Sequence, residues 1–237
     1  MYRTHAPRLR SGQTGGVVVN KLALFDCDGT LVDSQANICL AMEDCFARAS
    51  LTPPERHATR RIVGLSLVEA IRALHPHGEH DLHLALAEDY KLAFHRLRGQ
   101  GLVEEPLFDG IADTLTALAD SGWMLGVATG KSDRGLGICL ERHGLSKAFV
   151  TLQTADRHPS KPHPSMIATA MAEAGASPET TAMIGDTSYD MLMAVAANAH
   201  AVGVGWGYHD PHELEAAGAR VVAARAADLP AHLESLA

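Results

Sequence analysis

A series of short apolar runs constrains this chain most, because each ends at a turn carrying an acid, a hydroxyl, a glycine or a route to a lysine. Leu22–Phe25 runs into Asp26-Cys27-Asp28-Gly29-Thr30, and Met124–Ala128 into Thr129-Gly130-Lys131. Phe149–Leu152 precedes a loop that reaches Lys161. Ala182–Ile184 runs into Gly185-Asp186, and Val202–Val204 into Gly205-Trp206-Gly207, while Val221–Ala223 can add a sixth strand. Continuous apolar strands alternating with helical spacing predict an α/β fold with a mainly parallel sheet covered on both faces. The helices carry their own end signals. Pro164 opens one that Gly175 closes, Gly144 closes another, and Asn198 suits the left-handed residue after Met191–Ala197.

One interval breaks the alternation. About a hundred residues separate Asp26 from Thr129, where a crossover and its helix need only ~10–12. The excess, residues 34–107, has little strand character. Leu82, Leu86, Tyr90 and Phe94 recur at helical spacing, and Pro53-Pro54, Gly64 and Pro76-His77-Gly78 punctuate the stretch. It reads as an inserted helical subdomain, with 21–33 and 108–237 forming the core and 1–20 a tail. That tail is basic but has no apolar segment of ~7–15 residues, so it does not read as a secretory signal. No run approaches the ~18 apolar residues of a membrane span.

Charge narrows the partners. The net charge of −8 argues against binding a nucleic-acid backbone, so an anionic ligand needs a locally built site. Cys27, Cys39, Cys45 and Cys139 form no CxxC pair and read as buried free thiols, which places the chain in the cytoplasm.

Strand alternation sends Asp26 and Asp28 to one side of the first strand's end. Asp186 and Asp190 share a helical face if their turn begins a helix. In a parallel sheet such ends converge on one crevice. Like charges ~4 Å apart at an effective dielectric of ~20 repel by roughly 4 kcal/mol, which a hard divalent cation relieves; Mg²⁺ suits few carboxylates, waters and a phosphate. Thr129 and Gly130 can grip phosphate oxygens through a hydroxyl and main-chain N–H groups. Lys161 lies between Pro159 and Pro162, whose restricted backbone aims its ammonium. Gly126 to Ser132 is not a nucleotide P-loop, since Leu125 stands where the first glycine belongs, and Gly203 to Gly207 lacks dinucleotide spacing. The histidines show no metal-ligand spacing; His209 and His212 read as surface or cap residues at a helix start, and Trp123 and Trp206 as packing groups.

Taken in order, Asp26-x-Asp28-Gly-Thr30, Thr129, Lys161 and Gly185-Asp186 with Asp190 resemble the four motifs of the haloacid dehalogenase-like superfamily, most closely its phosphoglycolate phosphatase-like branch. The likeness covers nearly everything from Lys21 onward. It implies a Rossmann-like core with an inserted helical cap and a Mg²⁺-dependent phosphatase acting on a small phosphorylated metabolite. Asp26 would be nucleophile and metal ligand. Asp28 would bind metal through its carbonyl while its carboxyl acts as acid and base. Asp186 would bind metal directly, with Asp190 in support, and Thr129, Gly130 and Lys161 would hold the phosphoryl group. Dehalogenases of this superfamily lack the second aspartate, and its phosphonate hydrolases use a cap lysine, whereas this cap holds only Lys91, mid-helix. Arg60 and Arg61, near the Gly64-Leu65-Ser66 turn, are candidates for a carboxylate on the substrate. A sugar-phosphate mutase and a non-catalytic regulatory protein are the alternative readings, and the sequence does not set the oligomeric state.

Overall fold

The computed structural model describes residues 19–236, so the expected tail lies outside the described residues except for Val19 and Asn20. Six strands form one sheet: β1 (Lys21–Phe25), β2 (Trp123–Thr129), β3 (Thr151–Thr154), β4 (Thr181–Gly185), β5 (His200–Val204) and β6 (Val221–Ala223). All neighbouring strands are parallel, in the order β3-β2-β1-β4-β5-β6. The expected Rossmann-like α/β core is therefore present, and the order reverses between β1 and β4. Crevices open beyond the carboxyl ends of the strands at such a reversal.

Between β1 and β2 lie α1 (Gln35–Arg48), α2 (Arg56–Arg61), α3 (Leu67–Leu74), α4 (His80–Gly99) and α5 (Ile111–Asp120). Then follow α6 (Asp133–Arg142), α7 (Ser165–Ala174), α8 (Ser188–Ala196), α9 (Pro211–Ala216) and α10 (Leu229–Glu234). The strands read as continuous apolar runs because both faces are covered. Ala23, Phe25, Val127 and Ile184 enter one core with Leu115, Leu136 and Leu233 of α5, α6 and α10. Leu22, Leu24, Ala128 and Met183 enter the other with Ile167 and Met191 of α7 and α8. Each of the larger of these side chains, fully buried, contributes roughly 1.5–3 kcal/mol. Trp123 packs in the first core and donates from its ring nitrogen to Glu234 at 2.8 Å. Among the described residues, no helix is long and apolar enough to cross a membrane.

The third strand departs from its expected position. It begins at Thr151, with Val150 exposed just before it. The buried positions are polar: Thr151 Oγ1 and Gln153 Nε2 donate to Glu173 Oε2 at 2.5 and 2.8 Å. A strand whose inward side chains find hydrogen-bond partners in this way leaves no apolar trace in the sequence.

Helices α1 to α4 bury their own cluster, with Met42, Phe46, Ile71 and Leu86 at its centre. Two adjacent segments join them to the sheet: Val32 forms an antiparallel bridge with Leu107, Asp33 N–H donates to Pro106 O at 2.9 Å, and Phe108 N–H to Leu31 O at 3.0 Å.

Candidate active site

Asp26 follows β1 directly, and its N–H extends the ladder to Ile184 O at 2.9 Å. The side chain is fully buried. Its Oδ1 accepts from Cys27 N at 2.6 Å and faces Lys161 Nζ at 3.0 Å, while Oδ2 is buried with no hydrogen-bond partner. Asp186 follows β4. Thr30 Oγ1 donates to its Oδ1 at 2.8 Å, and Tyr208 N–H to its Oδ2 at 2.9 Å. Gly29, at φ +83°, and Gly207 both crowd this carboxylate so closely that a Cβ on either would overlap it. The glycine after Asp28 is thus required twice, by its left-handed backbone and by Asp186.

Asp190 lies on the first turn of α8. Its Oδ2 accepts from Thr187 N and Oγ1 at 3.1 and 2.7 Å, closing a capping box, and its Oδ1 accepts from Lys161 Nζ at 2.6 Å. Both oxygens are occupied, as are those of Asp186, which leaves Asp26 Oδ2 as the one unpartnered oxygen of the three acids. The three acids can each offer one oxygen within 4.8 Å of the others. Lys161, itself buried, is the cation between Asp26 and Asp190.

The carboxylate of Asp28 points away from that trio. Its Oδ1 accepts from Ser34 Oγ and pairs with Lys131 Nζ at 2.9 Å; Lys131 in turn pairs with the buried Glu105 at 2.7 Å. Sequence reading missed Ser34, Lys131 and Glu105. Lys131 had a signal, its position directly after Thr129-Gly130, but Glu105 in a loop had none. Thr129 ends β2 fully buried and accepts from Lys131 N–H at 3.3 Å. Gly130 sits against the carbonyls of Gly64 and Leu65, which a Cβ there would strike.

A cavity of about 910 Å³ lies between the inserted helices and the sheet edge, reaching Asp28, Gly130 and Lys131. Arg60 and Arg61 do not line it. Arg60 donates to Gln35 Oε1 at 3.3 Å, and Arg61 pairs with Glu213 on α9. His209 is not at the surface: it is buried, with Nδ1 accepting from Ser188 N–H at 3.2 Å and Nε2 donating to Arg61 O at 3.1 Å. Charged or polar side chains on a short loop gave no hint that two of them join the insertion to the core. Trp206 Nε1 donates to Thr30 O at 3.1 Å, and Lys91 pairs with Glu88 at the cavity rim.

Charge is unbalanced in this dry site. Burial pushes Asp26 up to about 7; Lys161 pulls it down, while Asp190 and Asp28 push it further up. Burial, followed by the charges of Asp26 and Asp190, holds Asp186 well above the ordinary carboxylate range. Burial alone would lower the Lys161 ammonium, yet Asp190 and Asp26 outweigh it and hold it above the usual lysine value. The all-oxygen donor set and the orphaned Asp26 Oδ2 fit a hard divalent cation.

The linkage has a definite sign. Acids whose folded pKa is raised keep protons that the unfolded chain loses above ~4, so stability without metal falls as pH rises from about 4 through about 7, with Asp186, also raised, acting in the same direction. A cation needs the deprotonated acids and binds more tightly as pH rises. Mg²⁺ is therefore expected to raise Tm more at pH 8 than at pH 5, by thermal denaturation at matched ionic strength. Equal shifts at both pH values would contradict the assignment.

The doubly wound sheet thus gathers three buried aspartates and one lysine at its switch point, a set suited to carboxylate chemistry. The family profile described as haloacid dehalogenase-like hydrolase matches residues 23–204. The chain is 38% identical over 206 residues to the "Probable phosphatase IndB" of Dickeya dadantii, covering 85% of this chain and 88% of that one. It is 30% identical over 220 residues to a phosphoglycolate phosphatase of Agrobacterium fabrum, covering 92% and 94%. The crystal structure of a hydrolase from Pseudomonas syringae superposes with a TM-score of 0.81 at 27% identity, covering 92% of this chain and 100% of the other. This chain belongs to the haloacid dehalogenase-like hydrolase family.

Proposed function

We propose that the protein is a Mg²⁺-dependent phosphatase that hydrolyses a small phosphorylated metabolite, a phosphate monoester, through an aspartyl-phosphate on Asp26. The supporting observation is the placement of Asp26: a buried carboxylate with one unpartnered oxygen, beside Lys161 and Asp186, at the sheet edge where Asp28 meets the cavity. Relatives named phosphatase and phosphoglycolate phosphatase support the same reading.

A carboxylate oxygen of Asp26 bonds to phosphorus as the ester P–O bond breaks. The Asp28 carboxyl gives its proton to the departing alkoxide. In the second half, the Asp28 carboxylate takes a proton from water, whose oxygen bonds to phosphorus as the Asp26–phosphorus link breaks and phosphate is released. Ser34 and Lys131 hold the Asp28 carboxylate, and Thr129, Gly130 and Lys161 receive the phosphoryl oxygens. Asp26, Asp186 and the Asp28 carbonyl would hold Mg²⁺, with Asp190 in support; when bound, the ion draws charge from the phosphoryl oxygens. Helices α1 to α4 act as the cap that excludes water. Four buried cysteines, none in a disulfide, suit a reducing cytoplasm.

The expected result is phosphate release from monoesters with Mg²⁺ that falls to background after chelation and returns when Mg²⁺ is restored. Release that persists undiminished after chelation would overturn the metal requirement. An isomerised sugar phosphate in place of free phosphate would mark a mutase.

A further inference from the structure

The site so far described handles the phosphoryl group and says little about the alcohol that leaves. The cavity above Asp28 bears on that alcohol through its size, its walls and its unpartnered polar groups. At about 910 Å³ it lies near the top of the range for small-molecule pockets, ~300–1,000 Å³. A two-carbon acid occupies only a small part of such a space.

The walls are mainly apolar. Met42 of α1, Val63 and Leu65 of the turn after α2, Ala87 and Phe94 of α4 all face it. A polyhydroxylated sugar needs a hydrogen-bond partner for most of its hydroxyls, and several polar side chains on the lining are already committed, Glu88 with Lys91, Lys131 with Asp28 and Ser132 with Gly135 N–H. The two arginines that the sequence offered for a carboxylate lie off the lining, Arg61 paired with Glu213 and Arg60 donating to Gln35, while Arg98, which lines it, faces Glu105 at 3.8 Å. Several polar groups on the lining are uncommitted among the described residues, the Ser66 hydroxyl and His95 included, and two of them suit a ring. One is Tyr90, whose ring packs against Phe94 at 5.9 Å between centroids and which lines the same cavity as Asp28 and Lys131. The other is Arg134, exposed on the first turn of α6, with no ion pair. A flat ring system has the shape to fill an apolar slot beside Tyr90 and Phe94, and ring oxygens or nitrogens can use the hydroxyl and the guanidinium.

We propose, resting on the phosphatase reading above, that the substrate is the phosphate monoester of a ring-bearing alcohol of nucleoside size, seated against Tyr90 and Phe94, rather than a two-carbon phosphoglycolate-like ester. Tyr90 and Arg134 orient the ring, and the apolar turn at Val63–Leu65 covers it.

The test compares kcat/KM by phosphate release for uridine and adenosine 5′-monophosphates, glucose 6-phosphate and 2-phosphoglycolate, all with Mg²⁺. A nucleotide is expected to exceed phosphoglycolate by at least about 100-fold, since apolar and ring contacts absent from the small ester are lost. Two variants probe the seat. Tyr90→Phe removes only the hydroxyl and is expected to lower the nucleotide-to-phosphoglycolate ratio by roughly 3- to 10-fold. Val68→Trp narrows the cavity from partly exposed α3 and is expected to lower the ratio further. Preference for phosphoglycolate or glucose 6-phosphate, or a ratio unmoved in both variants, overturns the substrate class and leaves the phosphatase reading standing. Release from none of the four esters by folded protein overturns both.

Discussion

Asp26→Asn is expected to reduce phosphate release by at least about 10⁴-fold while leaving the fold intact. Asn has the same shape, so the core that encloses position 26 is undisturbed, but an amide is no nucleophile toward phosphorus. Loss of a nucleophile in another covalent hydrolase costs on the order of 10⁶, and uncatalysed monoester hydrolysis is slow enough to expose a loss of that size. Stability offers a second readout. Asp26 shares a buried site with Asp186 and Asp190 against one lysine, so removing one carboxylate relieves repulsion. Without metal the variant is expected to melt at or above the wild-type temperature and to show a smaller Mg²⁺-induced shift. A variant that keeps more than a tenth of the wild-type rate would exclude Asp26 as nucleophile.

Lys161→Met is expected to damage both stability and turnover. The ammonium is buried, 3.0 Å from Asp26 and 2.6 Å from Asp190, and methionine leaves both acids without their cation. Removing one member of a buried ion pair costs about 3–5 kcal/mol, which for a protein of this size lowers Tm by roughly 10 °C. The loss should shrink toward pH 5, where Asp26, already raised to about 7 by burial, takes up a proton, and grow toward pH 8. Turnover is expected to fall by at least about 10³-fold, because a charged donor to the phosphoryl group is also lost. Lys161→Arg is not a conservative rescue, since the planar guanidinium is too large for a point-charge site. A Tm within about 2 °C of wild type at pH 8 would contradict the role given to this lysine.

The parts of the molecule legible in the sequence are those where one local signal suffices. The apolar runs before Asp26, Thr129 and Asp186 are legible because a strand buried on both faces must be apolar throughout. Gly175 and Asn198 mark helix ends because both adopt positive φ, 61° and 56°. Strand β3 was shifted because its interior is polar and satisfied by Glu173, a residue twenty positions away. The clamp on Asp28 was hidden for a related reason: Ser34, Lys131 and Glu105 meet only when three segments distant in sequence fold together. Arg60 and Arg61 show where a local signal stops. Their type and place beside the turn at Gly64 fitted a substrate carboxylate, but nothing in a local motif reveals that Glu213, some 150 residues on, captures Arg61. Residue type sets what a side chain can bind, and tertiary packing decides whether it is free to do so.

The most direct measurement is a rapid acid quench of wild-type protein turning over a monoester substrate with Mg²⁺, followed by peptide mass spectrometry. A single phosphoryl group on the peptide that carries Asp26, acid-stable, released by hydroxylamine and missing from Asp26→Asn, is the expected result. Phosphate release with no phosphorylated peptide at any quench time, or with the label on another residue, would contradict the account.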